Sequence, residues 1–129
     1  MDSEKMSEMP EDEVVKIILR GLSRFLILWI LANKKLSGYD VAKELKNLTG
    51  EEFKTSSVYP ILYELEENQF LSSEEITKGR RRIILYDITD KGLHILEQIR
   101  GTLELPIRNA ISDFLDFQPA SNEGESDSG

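Results

Sequence analysis

This sequence predicts an α+β fold that is mostly helical, and three observations predict it. Apolar residues recur at three- and four-residue intervals in four separate stretches, among them Val58, Ile61, Leu62 and Leu65, the spacing that lines one side of a helix. Only residues 71–77 and 82–88 read as strands, with Ile84, Tyr86 and Ile88 alternating with Ile83, Leu85 and Asp87, and Gly79 supplying the turn. A short connector, Glu51-Glu52-Phe53-Lys54, joins the second helix to the third. Two helices so joined, followed by a basic hairpin, make a winged helix-turn-helix with a two-stranded wing. Helices on its N- and C-terminal sides are expected to dimerise.

Residues 1–11 are acidic and without period, and read as a disordered tail. The unit expected over 12–90 is the winged helix-turn-helix with its N-terminal helix, which should run from Asp12 to Asn33 with a bend or break at Gly21. After Gly21, Phe25-Leu26-Ile27-Leu28-Trp29-Ile30-Leu31-Ala32 is apolar nearly all round, which puts it at the centre of the core. Before Gly21, Val14, Val15, Ile17, Ile18, Leu19 and Leu22 exceed what one domain face requires, so Val14 and Ile18 are assigned to an interface with a second chain.

Ser37-Gly38-Tyr39-Asp40 opens the second helix, with serine as N-cap and an acid three residues on. Val41, Ala42, Leu45 and Leu48 form its buried stripe, and Thr49-Gly50 ends it. In the third helix Pro60 limits where the helix can begin, because proline is tolerated in or near the first turn. Ser56 or Ser57 is therefore the expected N-cap. Thr89-Asp90 caps a last helix whose Leu93, Leu96, Ile99, Leu103, Ile107, Ile111 and Phe114 run along one seam. Residues 91–117 are read as a C-terminal dimerisation helix meeting its partner through Leu96, Ile99, Leu103, Ile107, Ile111 and Phe114, distorted at Gly101 and kinked at Pro106. Residues 118–129 read as a second acidic, disordered tail.

The net charge of −8 looks unsuited to nucleic acid until it is located. Residues 1–13 hold six acids against Lys5, a net of −5, and residues 119–129 add −3. Residues 14–118 then balance 15 acids against 15 bases. A neutral body can still bind DNA where its bases cluster on one face.

Several chemistries are excluded or weakened. The chain has no cysteine, hence no disulfide, thiolate metal site or thiol nucleophile. His94 is the sole histidine and sits among apolar neighbours, and no Gly-rich phosphate loop, serine elbow or paired metal-ligand spacing appears. No enzyme activity, metal or cofactor is expected. The longest apolar run is about half of a membrane span, and the acidic N-terminus is unlike a secretory signal, so no membrane partner and a cytoplasmic location are expected.

Two stretches point to double-stranded DNA. The side of the third helix away from its apolar stripe carries Ser56, Pro60, Tyr63 and Glu67, with Tyr59 on its flank. Hydroxyls crowd the N-terminal half of that helix, where the dipole and free N–H groups also favour phosphate. Lys54, Thr55, Ser56, Ser57, Tyr59 and Tyr63 are its candidate contacts. The hairpin tip, Lys78-Gly79-Arg80-Arg81-Arg82, concentrates cations that can displace condensed counterions. Lys78, Arg80, Arg81 and Arg82 should supply affinity more than sequence choice. Trp29 has two readings, a core side chain or the wall of a pore between two subunits that stacks on a flat aromatic effector.

Leu36-Ser37-Gly38-Tyr39-Asp40-Val41-Ala42, Ser57-Val58-Tyr59-Pro60-Ile61-Leu62-Tyr63-Glu64-Leu65-Glu66 and Tyr86-Asp87-Ile88-Thr89-Asp90-Lys91-Gly92 resemble the corresponding segments of the PadR-like transcriptional regulators. The tyrosine-proline pair in the third helix is the most specific of these. The resemblance implies a homodimer that binds a two-fold symmetric operator and represses transcription, its third helix in the major groove and its wing on the backbone. It implies that Ser57, Tyr59 and Tyr63 match the recognition-helix positions, and that Gly38-Tyr39 match the start of the second helix. Where the family commonly carries bases along that helix, this chain has Glu64, Glu66 and Glu67. The reading is thus a dimeric, sequence-specific repressor, with a winged-helix protein-docking module as the alternative.

Overall fold

A computed structural model describes residues 10–119. In chain order it contains α1 (Glu11–Asn33), β1 (Leu36–Ser37), α2 (Gly38–Thr49), α3 (Thr55–Glu67), β2 (Leu71–Lys78), β3 (Arg81–Ile88), α4 (Asp90–Glu104) and α5 (Ile107–Leu115). The two expected acidic tails lie outside the described residues apart from their inner ends, where Pro10 caps and Glu11 opens α1. The chain divides into two compact units, Met1–Leu96 and Glu97–Gly129.

In the first unit, α1 contributes Ile27, Leu28, Ile30 and Leu31 to one core, α2 contributes Val41, Ala42 and Leu45, and α3 contributes Val58, Leu62 and Leu65. Leu36, Leu71 and Tyr86 complete it from the sheet. Full burial of such side chains is worth about 1.5–3 kcal/mol each, which makes this cluster the main source of the unit's cohesion. Leu96, expected at a subunit interface, packs partly against this core. Gly21 neither breaks nor ends α1, which runs on for 23 residues. Just after it Ser23 is fully buried, and its hydroxyl donates to the Arg20 carbonyl at 2.6 Å.

The sheet has three strands where two were expected, in the order β1-β3-β2 and all antiparallel. The additional β1 is two residues long and pairs Leu36 with Tyr86 and Ser37 with Leu85. It was missed because two residues carry no readable alternation. The wing itself pairs Leu71 with Ile88 through to Lys78 with Arg81. Its two-residue turn places Gly79 at φ 65° while Arg80 stays out of the left-handed region, the combination of a type II′ hairpin turn.

The junction from α3 to β2 is built from an uncommon residue. The Phe70 N–H donates to the Leu65 carbonyl at 2.9 Å and the Gln69 N–H to the Glu66 carbonyl at 2.9 Å. This is a Schellman closure whose left-handed position is Gln69, φ 69°, instead of glycine. Thr89 fastens the same corner to α4. Its N–H donates to the Phe70 carbonyl at 3.0 Å, its hydroxyl donates to the Gln69 carbonyl at 2.7 Å, and that hydroxyl accepts from the Gly92 N–H at 3.0 Å. A side chain on Gly92 would run into the Phe70 carbonyl oxygen and the Ile88 side chain. The Thr-x-x-Gly pattern is therefore a steric and hydrogen-bonding requirement of this corner.

The single C-terminal helix expected over 91–117 is two helices. α4 continues through Gly101 to Glu104, and α5 begins at Ile107 after Pro106. Pro106 breaks the helix instead of kinking it, since proline has no N–H for the i→i−4 bond. Exposed apolar side chains remain in each unit. In the first they include Val14, Val15, Ile17, Ile18 (59 % exposed) and Leu22 of α1, and in the second Leu103, Leu105, Ile107, Ile111, Phe114 (70 %), Leu115 and Phe117.

Two substitutions at the α3–β2 corner should act with opposite sign. Gln69→Gly should stabilise by roughly 0.5–1 kcal/mol, since the left-handed region penalises side chains. Gly92→Ala should cost about 1–3 kcal/mol through overpacking against backbone. Urea unfolding midpoints test both, and an unchanged midpoint for Gly92→Ala would exclude the steric requirement.

Candidate nucleic-acid interface

The interface is organised by which side of α3 faces the core. Val58, Leu62 and Leu65 are buried, so Ser56, Pro60, Tyr63 and Glu67 on the opposite side are exposed. The N-cap is Lys54, which offers no side-chain acceptor, in place of the expected Ser56 or Ser57. The helix thus begins before the serines, and Ser56 and Ser57 stand exposed within its first turn. Pro60 is the sixth helical residue, beyond the first turn where it was expected. It is tolerated there on the exposed side, at the loss of one backbone bond to the Ser56 carbonyl.

Tyrosines pave the region beside this face. The Tyr59 and Tyr63 rings lie 5.9 Å apart, centroid to centroid. Tyr59 packs so closely on Gly38 that a Cβ there would come within 2.5 Å of its ring. Gly38 therefore lets the start of α2 seat Tyr59 of α3. The helix is opened as expected by Ser37, whose hydroxyl accepts from the Asp40 N–H at 3.2 Å. Tyr39 is exposed, and the Lys43 ammonium lies 5.5 Å from its ring centroid. Lys43 was not among the expected contacts, although its position four residues after Tyr39 was a legible signal. Tyr86 of β3 is 2 % exposed. Burial first, then Tyr63, Glu66 and Tyr59, push its phenol from 10.0 up to about 12.

The acids of α3 are mostly turned sideways. Arg24 of α1 grips Glu64 in a two-point fork, Nε to Oε2 at 2.8 Å and Nη2 to Oε1 at 2.7 Å. That fork lowers the Glu64 pKa and raises that of Arg24. Glu66 accepts from the Ser73 hydroxyl at 2.6 Å. Glu67 has no such partner among the described residues. On the wing, Arg82 is ion-paired with Glu75 across the hairpin, so part of the basic run is already neutralised. Lys78, Arg80 and Arg81 are exposed at or beside the tip.

Trp29 is half exposed and thus no core residue. With Ile30, Asn33, Leu36, Glu44 and Leu48 it lines a cavity of about 300 Å³ away from α3. His94 is exposed, and among the described residues no group of His, Cys, Asp or Glu side chains is arranged to hold a metal. Among those residues no helix is long and apolar enough to cross a membrane.

Residues 27–98 match the family described as "Transcriptional regulator PadR-like family". The chain is 32% identical over 87 residues to the transcriptional regulator YqjI of Escherichia coli (strain K12), a match covering 66% of this chain and 41% of YqjI. It thus spans about two fifths of that relative's length. Among solved structures, TA0346 from Thermoplasma acidophilum is similar at 30% identity and a TM-score of 0.68, covering 79% of this chain and 98% of that one. Bacillus subtilis PadR in complex with operator DNA is similar at 29% identity and a TM-score of 0.54, over 58% of this chain and 44% of that one.

The phenol of Tyr86 gives the tyrosine cluster a pH signature. With a folded pKa near 12 against 10.0 when free, the unfolded chain gives up this proton first. The contribution to stability is complete below pH 10 and disappears as pH rises to about 12. Tyr86→Phe should show a shallower loss of stability across that window, measured as urea midpoints at stepped pH. Identical slopes would remove Tyr86 as the cause.

Proposed function

Because the chain belongs to the transcriptional regulator PadR-like family, whose members are regulators and not enzymes, we propose that it is a dimeric, cytoplasmic, sequence-specific repressor. α3 would enter the major groove of a pseudo-palindromic operator, and the wing would lie on the adjacent backbone. One observation carries this reading. α3 presents Ser56, Ser57, Tyr59 and Tyr63 on or beside a face the core does not use, while Arg24 and Ser73 draw Glu64 and Glu66 to its sides. An acidic helix thereby becomes one whose exposed face is largely hydroxyl and aromatic. That the similar Bacillus subtilis PadR is solved on operator DNA supports the same reading.

The exposed apolar residues of α1 and those of α4 and α5 are assigned to contact with a second copy, which would set two recognition helices at operator spacing. The cavity beside Trp29 is the candidate seat of a flat aromatic effector, bounded by a half-exposed indole.

Affinity measured against salt separates this reading from a protein-docking module. Fluorescence anisotropy with DNA from upstream of the protein's own gene, against a scrambled duplex, should show preferential and salt-sensitive binding. Arg80→Ala with Arg81→Ala should weaken binding to both duplexes and flatten the salt dependence by about one to two in log–log slope. Tyr63→Ala should lower the preference for the upstream duplex, and equal losses on both duplexes would sink that role. Ile111→Asp with Phe114→Asp should yield a monomer by light scattering, and an unchanged dimer mass would remove α5 from the interface.

A further inference from the structure

Lys16, Arg20 and Arg24 stand at four-residue intervals, which puts three cations in one row along α1. Arg24 is taken up by Glu64. The other two reach the beginning of α3, where Lys16, Arg20, Lys54 and Ser57 line an open cavity of about 310 Å³ together with Glu51 and Glu52. The acids do not cancel the cations there. Glu52 is paired with Lys46 at 3.0 Å, and Arg20 makes a long ion pair with Glu13 at 3.8 Å that leaves 60% of its side chain exposed. The cavity's cations, Lys16, Arg20 and Lys54, thus face Glu51 as the one lining carboxylate without an ion-pair partner among the described residues.

The same end of α3 lacks a side-chain cap. Lys54 contributes only its carbonyl, which accepts from the Ser57 and Val58 N–H groups at 2.9 and 3.2 Å. The N–H groups ahead of these belong to the set that a helix start leaves without intrahelical partners. Row, cavity and uncapped start coincide at one flank of the recognition helix.

We propose that this cavity seats a backbone phosphate of the bound duplex, held by Lys16, Arg20, Lys54 and the Ser57 hydroxyl. The proposal rests on the DNA-binding reading above and adds α1 to the binding surface. A helix in a major groove about 12 Å wide has a phosphate backbone on either side of it, so cations on its flank meet one of them. α1 thereby joins the protein's interior to its DNA surface: its second half builds the core and its first half holds the backbone.

The test compares Lys16→Ala, Arg20→Ala and the double variant with the wild type, using the duplex from upstream of the gene and its scrambled counterpart at several salt concentrations. Lys35→Ala is the control, matched in charge to each single variant. It removes an exposed cation past the other end of α1, roughly 25 Å from Lys16 at 1.5 Å per residue and well beyond a Debye length. The double variant should lose affinity equally on both duplexes, with a salt slope lower by about one, since a single neutralised phosphate contributes about 0.9. The control should keep the wild-type slope. An unchanged slope in the double variant overturns the phosphate seat while leaving DNA binding intact, as does a loss confined to the upstream duplex or an equal loss in Lys35→Ala. A wild-type chain that binds neither duplex overturns the DNA-binding reading and this site with it.

Discussion

Burial of one stripe of α3 is the constraint from which the rest of the first unit follows. A domain of this size has one core, and Val58, Leu62 and Leu65 must be in it. Once they are, the helix has no rotational freedom left, and Ser56, Pro60, Tyr63 and Glu67 face outward. Tyr59 is caught at the boundary, and its ring can settle there only because residue 38 has no Cβ. The α3–β2 corner then fixes where the wing departs, through Gln69, Phe70 and the hydroxyl of Thr89. The exposed face of α3 and the core are two sides of one packing decision.

Electrostatics are handled locally and not by net charge. Residues 14–118 carry as many acids as bases, yet the structure distributes partners so that one carboxylate of α3, Glu64, is neutralised by Arg24 and a second, Glu66, is held aside by the Ser73 hydroxyl. The Arg24–Glu64 fork is exposed and screened by solvent, so its effect lies in the field over α3 more than in stability. The same accounting reduces the wing. Four bases appear between residues 78 and 82, but Arg82 is committed to Glu75. Charge read from sequence overstates a surface wherever the partner lies across a hairpin or on another helix.

What was legible in the sequence was local. The Ser37 cap, the Gly79 turn and the apolar stripe of α3 depend on residues a few positions apart, and each stands where its spacing placed it. Of the candidate contacts, Ser56, Ser57 and Tyr63 on α3 and those at the wing tip are exposed while Thr55 and Tyr59 are half-buried, and the second half of the basic run is partly spent. What was not legible depends on distant partners or on weak local preferences. β1 is a strand only because β3 lies beside it. Lys54 caps α3 without any capping side chain, so no sequence signal marks it. Gln69 takes a position usually given to glycine because hydrogen bonds from Thr89, twenty residues on, hold that corner.

The second unit extends this reasoning to assembly. α5 has nine residues and none of them is buried, and an isolated helix of that length is marginal in water. Its apolar side chains, Ile107, Ile111, Phe114 and Leu115, recur at three- and four-residue spacing and occupy one face. Such a face stabilises a helix only when another surface covers it. The first half of α1 poses the same problem with Val14, Ile17 and Ile18, while Lys16 and Arg20, interleaved with them, line the cavity at the start of α3. A second copy covering the apolar residues would leave those cations to the duplex. The alternation of apolar and basic residues along the start of α1 is thus what one helix requires if it is to serve a subunit interface and a phosphate backbone at once.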